Sequence, residues 1–141
     1  MKRILVTGAL GQIGSELTAY LRGTYGNENV VASDVRKGAA ETAEAGPFEI
    51  IDVLDPKRMA EVVEKYHIDT IVHLAALLSA TAEAKPELAW NINMGGLFNA
   101  LEVARERGCA FFTPSSIGSF GPSTPKVKTP QDTIQRPNTM Y

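Results

Sequence analysis

Apolar positions along the chain alternate between two spacings. Ile4-Leu5-Val6 is a short aliphatic run that enters a glycine-spaced turn, Thr7-Gly8-Ala9-Leu10-Gly11-Gln12-Ile13-Gly14. Behind the turn, Ile13, Leu17, Tyr20 and Leu21 recur at helical spacing. The pattern predicts a strand over 3–6 and a helix over 12–23, ended by Gly23 and Gly26. A second strand is predicted over 30–33 and a third over 48–51. Residues 36–46 are small and polar and read as a loop with at most a weak helix. Asp55 caps the next helix, with Pro56 at its first position and Met59, Val62, Val63 and Tyr66 as its buried stripe. The continuous apolar run at 70–74 predicts a strand covered on both faces. A longer helix is predicted over 87–106, with Gly108 past its end and Arg105 and Arg107 near its negative pole. A fifth strand follows over 110–114. After Ser119 the periodicity vanishes among Pro122, Pro125, Pro130 and Pro137, which predicts an ordered surface loop or a loose tail.

Strands alternating with helices specify right-handed crossovers and a parallel sheet. The expected architecture is α/β, a doubly wound Rossmann-like sheet of order 3-2-1-4-5 with a ligand crevice at the carboxyl ends of strands 1 and 4. Residues 1–119 form its dinucleotide-binding domain of five βα units, and 120–141 a proline-rich loop. A sixth strand would complete a two-lobed fold of this kind, so the chain reads as truncated before strand 6.

The glycine turn sets the candidate chemistry. Gly8 suits a tight turn off the strand, Gly11 lets a pyrophosphate approach the backbone, and Gly14 lets helix and strand pack closely. The helix N-terminus offers unpaired N–H groups to phosphate. Asp34 closes the second strand at the distance where an acidic side chain holds adenosine ribose hydroxyls. An acid there would repel a 2′-phosphate, which predicts NAD over NADP, softened by nearby Arg36.

Composition narrows the setting. With 44% hydrophobic and 21% charged residues, 141 residues suffice for one domain with a core. A net charge of −2 without a basic run argues against nucleic acid as a partner. Met1-Lys2-Arg3 is basic, but the apolar run behind it breaks at Gly8 and Gly11, and no stretch reaches transmembrane length. The single cysteine, Cys109, has no internal partner, which suits a reducing compartment and predicts a cytoplasmic protein without membrane contact. Cys109 and His67 lack ligand spacing, so no metal is expected. His73, inside an apolar strand, reads as a core histidine rather than a catalyst.

Thr7-Gly8-x-x-Gly11-x-x-Gly14 resembles the cofactor loop of the extended short-chain dehydrogenase/reductase family, which includes NAD-dependent sugar epimerases and dehydratases. Asp52-Val53, His73-Leu74-Ala75-Ala76, Asn93-x-x-Gly96-x-x-Asn99 and Thr113-Pro114-Ser115-Ser116 are similar to further family stretches. The resemblance implies NAD held by Thr7, Gly8, Gly11, Gln12, Ile13, Gly14, Asp34, Asp52, Val53, Leu74, Ala75, Ala76 and Asn93. It implies Ser116 and Tyr141 as the catalytic pair, with Ser79 also touching substrate. Plainer readings stand beside these: a turn-starting Ser116, a helix-capping Ser79, and an Asn93 that is an ordinary helix residue rather than one holding a backbone carbonyl or a water near the family's lysine. Leu77-Leu78-Ser79-Ala80, Phe120-Gly121-Pro122 and the run from Thr129 to Tyr141 resemble the branch that oxidises L-threonine. Nucleotide-sugar chemistry and a non-catalytic NAD-binding module are the alternatives. Trp90, Met94, Leu97 and Leu101 read as core or subunit interface, and the resemblance implies a homodimer for the longer parent. The family's motif is Tyr-x-x-x-Lys, and here the chain stops at Tyr141. That implies an incomplete catalyst whose terminal phenol does not stay near Ser116.

Overall fold

The computed structural model describes residues 2–37 and 45–141. The reading of 36–46 as a loop falls mostly on 38–44, outside the described residues.

Five parallel strands make one sheet: β1 (Ile4–Thr7), β2 (Val30–Asp34), β3 (Phe48–Ile50), β4 (Thr70–His73) and β5 (Ala110–Phe112), in the order β3-β2-β1-β4-β5. Helix α1 (Gln12–Tyr25) crosses from β1 to β2, and α2 (Pro56–Lys65) from β3 to β4. Between β4 and β5 lie α3 (Ser79–Ala84), α4 (Pro86–Trp90), a π-helical turn (Asn91–Gly95) and α5 (Gly96–Arg107). In register, Ile4 faces both Val30 and Thr70, while Thr7 faces Ser33 and His73. The central strand is therefore buried along its whole length.

Because side chains alternate along a strand, the sheet feeds two cores. Leu5, Val31 and Ile71 pack with Met59, Val62 and Val63 of α2 and Val103 and Ala104 of α5. Ile4, Val6, Val30, Ala32 and Val72 pack on the other face with Leu17 and Leu21 of α1.

Several boundaries move for physical reasons. Helix α1 runs through Gly23, whose missing side chain faces open space, and ends at Gly26 with φ 94°. Strand β5 stops at Phe112 rather than 114. Pro114 has no N–H to pair, and Thr113 turns its hydroxyl inward to donate to His73 O at 3.1 Å. The long helix begins at Pro86 and widens at the π turn, and the short α3 stands where the pattern predicts no element. Asp55 caps α2 as expected, accepting the Arg58 N–H at 3.0 Å.

Residues 120–141 contain no helix or strand, yet they fold back on the domain. The Met140 and Tyr141 amides both donate to Glu83 Oε1 of α3, at 2.6 and 3.3 Å.

Candidate functional site

The site grows from the end of β1. Thr7 Oγ1 lies 2.9 Å from His73 Nδ1 and accepts the Leu74 N–H at 3.3 Å, fastening β1 to β4 where both strands open into loops. Gly8 then turns with φ 69°, and a Cβ on it would stand 2.7 Å from Ala75 N. The Gly11 N–H donates to Gly8 O at 3.0 Å, and Gly11 opens α1 without any side-chain cap. The first intrahelical bond runs from Ser15 N–H to Gly11 O, so the amides of Gln12, Ile13 and Gly14 come before it. A Cβ on Gly14 would fall 2.2 Å from Gly8 O. The turn is thus closed against side chains and lined by backbone donors, which suits a pyrophosphate.

Asp34 ends β2, 7% exposed. Its Oδ2 accepts the Leu10 N–H at 3.2 Å, which pulls the glycine turn toward the carboxylate. Its Oδ1 accepts the Arg36 N–H and Nε, at 3.2 and 3.1 Å. Burial pushes the carboxyl's pKa up, but hydrogen bonds from the Arg36 side chain, Arg36 N–H and Leu10 N–H outweigh it and hold the pKa below the ordinary value. Asp34 is therefore an anion at neutral pH, and its oxygens are acceptors.

A cleft of about 490 Å³ opens between the sheet's carboxyl end and the helices beyond β4. Gly8, Gly11 and Asp34 line one side, Asp52 and Val53 another, and Leu74, Ala75 and Ala76 a third. Eight of the sequence-predicted cofactor residues thus meet around one cavity. Its wall also includes Arg36, Leu77, Leu88 and Ile92, which sequence reasoning did not assign to it. Leu88 and Ile92 stand at helical spacing, which by itself does not mark them as cleft residues. Only the tertiary path of α4 and the π turn carries them to the cleft.

Asn93 stands behind the wall rather than in it. Its Oδ1 accepts the Leu77 N–H at 2.7 Å and its Nδ2 donates to Leu77 O at 3.2 Å. Asn93 thus holds backbone, including the Leu77 carbonyl, and is not a plain helix residue. Gly96 and Asn99 continue the same helix face onto the β3 loop. A Cβ on Gly96 would lie 2.6 Å from Val53 Cγ2, and Asn99 Nδ2 donates to Val53 O at 3.1 Å.

His73 is 3% exposed, and its ring stacks on Phe111 with centroids 6.2 Å apart. Desolvation lowers its pKa to about 4, so it is neutral at physiological pH. It belongs to the core, as the strand context predicts.

Ser79 opens α3 and is exposed, away from the cleft lining. Ser116 begins a 3-10 turn (Ile117–Ser119), its Oγ accepting the Gly118 N–H at 3.0 Å. The ring of Tyr141 packs beside Gly118: a Cβ there would meet Tyr141 Cδ1 at 3.5 Å and Ser116 Oγ at 3.2 Å. The expectation that Tyr141 does not stay near Ser116 is corrected here. Both lie on one glycine, and Glu83 holds the backbone that brings Tyr141 back.

The features a dinucleotide demands are therefore present: a side-chain-free turn, open helix amides, a buried carboxylate at the second strand's end and an apolar wall. Residues 4–141 match the model of the NAD dependent epimerase/dehydratase family. An uncharacterized epimerase/dehydratase of Staphylococcus saprophyticus is 63% identical over 142 residues, covering 100% of this chain and 44% of that protein. The crystal structure of L-threonine dehydrogenase from Clostridium difficile superposes with a TM-score of 0.96 at 61% identity, over 100% of this chain and 44% of that one. UDP-glucose 4-epimerase from Brucella ovis, in complex with NAD, follows at TM-score 0.85 and 27% identity, over 100% of this chain and 43% of that one. The chain thus spans less than half the length of these relatives. With its cofactor turn, sheet order and cleft in the arrangement the match requires, the chain belongs to the NAD dependent epimerase/dehydratase family.

Proposed function

We propose that the chain is the NAD-binding portion of an L-threonine 3-dehydrogenase, which oxidises L-threonine to 2-amino-3-oxobutanoate. The observation that carries this reading is the gradient of similarity. Over the same residues, identity is 61% to the solved L-threonine dehydrogenase and 27% to the solved sugar epimerase.

When bound, NAD supplies a nicotinamide that accepts hydride from the substrate's carbinol carbon. The glycine turn and the amides of Gln12, Ile13 and Gly14 would hold its pyrophosphate, with Thr7 bracing the turn, and Asp34 would accept from the adenosine ribose hydroxyls. Asp52 and Val53 would receive the adenine, and Leu74, Ala75 and Ala76 would wall the cofactor, with Asn93 steadying that wall through Leu77. Ser116 already accepts an amide proton, so its own hydroxyl proton is available to orient the substrate alcohol. Tyr141, as phenolate, takes the alcohol proton, and Ser79 contacts the amino acid. A phenol with pKa about 10 is ionised only about one part in a thousand at pH 7, so the base needs a neighbouring cation. The resemblance assigns that role to the lysine of Tyr-x-x-x-Lys, beyond Tyr141.

Trp90 at the end of α4, Met94 in the π turn and Phe98 and Leu101 of α5 are between 43% and 64% exposed, whereas Leu97 of the expected set is half-buried. The exposure of the first four supports a homodimer of the longer protein through them. The lone, half-buried Cys109 supports a cytoplasmic location. No helix among the described residues is long and apolar enough to cross a membrane.

The test is threonine-dependent NADH formation. A polypeptide of the relatives' full length carrying residues 1–141 as its N-terminal part is expected to turn over, and to lose turnover with Ser116→Ala or Tyr141→Phe. Residues 1–141 alone are expected to be slower by at least about a thousandfold, the phenolate population forfeited without the cation. A full-length protein that ignores threonine and converts a UDP-sugar would replace this reading with the epimerase one.

A further inference from the structure

The carboxylate of Asp34 has no acceptor direction left over. Two oxygens offer about four lone-pair directions. The backbone N–H groups of Leu10 and Arg36 take two of them, each at 3.2 Å. The guanidinium of Arg36 takes the others, Nε on Oδ1 at 3.1 Å and Nη2 on Oδ2 at 3.5 Å. The two kinds of donor differ in one respect. The amides are fixed in the chain, whereas the guanidinium sits on a flexible side chain that is 65% exposed at the lip of the cleft, over a carboxylate only 7% exposed. Asp34 and Arg36 both line the cleft, so a ligand there that reaches the carboxylate meets the side-chain fork on it.

A ribose cis-diol presents two O–H donors side by side, the same pattern that the Nε and Nη2 fork presents. From this overlap we propose that Arg36 is a displaceable latch on the diol-binding edge of Asp34. The cofactor's adenosine ribose enters by taking the place of the guanidinium. The latch rests on the NAD-binding reading above and adds to it a cost of entry and a discrimination step. NAD opens the fork and replaces both of its bonds with hydroxyl bonds. NADP carries a phosphate in place of one hydroxyl, and the swung-out guanidinium is the nearest cation to receive it. Arg36 therefore opposes NAD and favours NADP.

The sign of this effect separates the latch from ordinary electrostatics. Both cofactors are anions, so deleting a cation at the cleft should weaken both if Arg36 acts through charge alone. If Arg36 is a latch, its removal must strengthen NAD binding against that trend. The experiment is calorimetric titration of NAD and of NADP into wild-type, Arg36→Ala and Arg36→Lys proteins, each first shown folded by circular dichroism. Lysine keeps the charge and lacks the fork. The expected result is NAD affinity raised roughly threefold or more in both variants, in line with release of one bidentate pair whose guanidinium faces solvent. NADP affinity should fall in Arg36→Ala and hold in Arg36→Lys. Unchanged or weaker NAD binding in Arg36→Ala, with wild type binding NAD normally, overturns the latch and leaves the cofactor reading standing. No NAD binding by wild type and variants alike overturns both.

Discussion

At Gly14 the constraint is one of bare atomic distance. A methyl group there would lie 2.2 Å from Gly8 O and 2.8 Å from Ala9 Cα, both backbone atoms that have no side-chain freedom with which to yield. Gly14→Ala is therefore expected to cost about 1–3 kcal/mol in urea unfolding. Gly23→Ala, where nothing lies within 4 Å, should be neutral or slightly stabilising. His73 gives a pH dependence with a defined sign. Its folded pKa is depressed from 6.5 to about 4 by burial. As pH falls below 6.5 the unfolded chain takes up a proton that the folded chain refuses, so stability is lost between about pH 6.5 and 4 and levels off below. The full loss is about 3 kcal/mol, and a His73→Gln variant should show a flatter slope over that window in pH-dependent denaturation. The carboxylates with lowered pKa, Asp34, Glu49 and Asp69 among them, lose their own stabilisation from the acid part of that window downward, so the His73 contribution is read as the difference between wild type and variant. Residues of this kind are legible in a sequence when backbone geometry dictates them, as at Gly8 and Gly14. Arg36 stood out only as a charge near Asp34. Its fork on the carboxylate depends on a rotamer, and no spacing rule encodes that.

Among the elements, the helix behind the cleft shows what spacing reveals and what it hides. Asn93, Gly96 and Asn99 recur every three residues and so share a face. The sequence displays that pattern without saying what the face meets. In the fold it meets two loops, Leu77 after β4 and Val53 after β3, and both line the cleft. Asn93 is accordingly a positioning residue. Asn93→Ala removes both bonds to Leu77 and should destabilise the fold by about 1–2 kcal/mol. It should also weaken NAD binding several-fold without changing the preference for NAD over NADP, because the Asp34 end is untouched. Loss of stability with unaltered NAD affinity would reduce Asn93 to a structural role. The strands were readable because parallel pairing demands continuous apolar runs, and all five appear within two residues of their expected ends. The short α3 was missed because Ser79–Ala84 buries only Ala82 and shows no apolar stripe.

For the whole molecule, the topology decides where chemistry can happen. A five-stranded sheet of order β3-β2-β1-β4-β5 reverses its winding between β1 and β4, and the cleft opens at that switch point. Sheet order was legible because crossover handedness and strand–helix alternation leave few alternatives. The course of residues 120–141 was not, since it depends on single contacts such as Glu83 with the Met140 and Tyr141 amides, which no periodicity announces. The central claim is that this fold holds a dinucleotide with its adenosine ribose on Asp34. Calorimetric titration of NAD into wild-type and Asp34→Ala protein tests it directly. The account predicts one NAD per chain, tighter than NADP, and an Asp34→Ala variant that loses about tenfold or more in NAD affinity while NADP changes less. Equal affinity for the two cofactors in the wild type, or an Asp34→Ala variant that binds NAD undiminished, would contradict it.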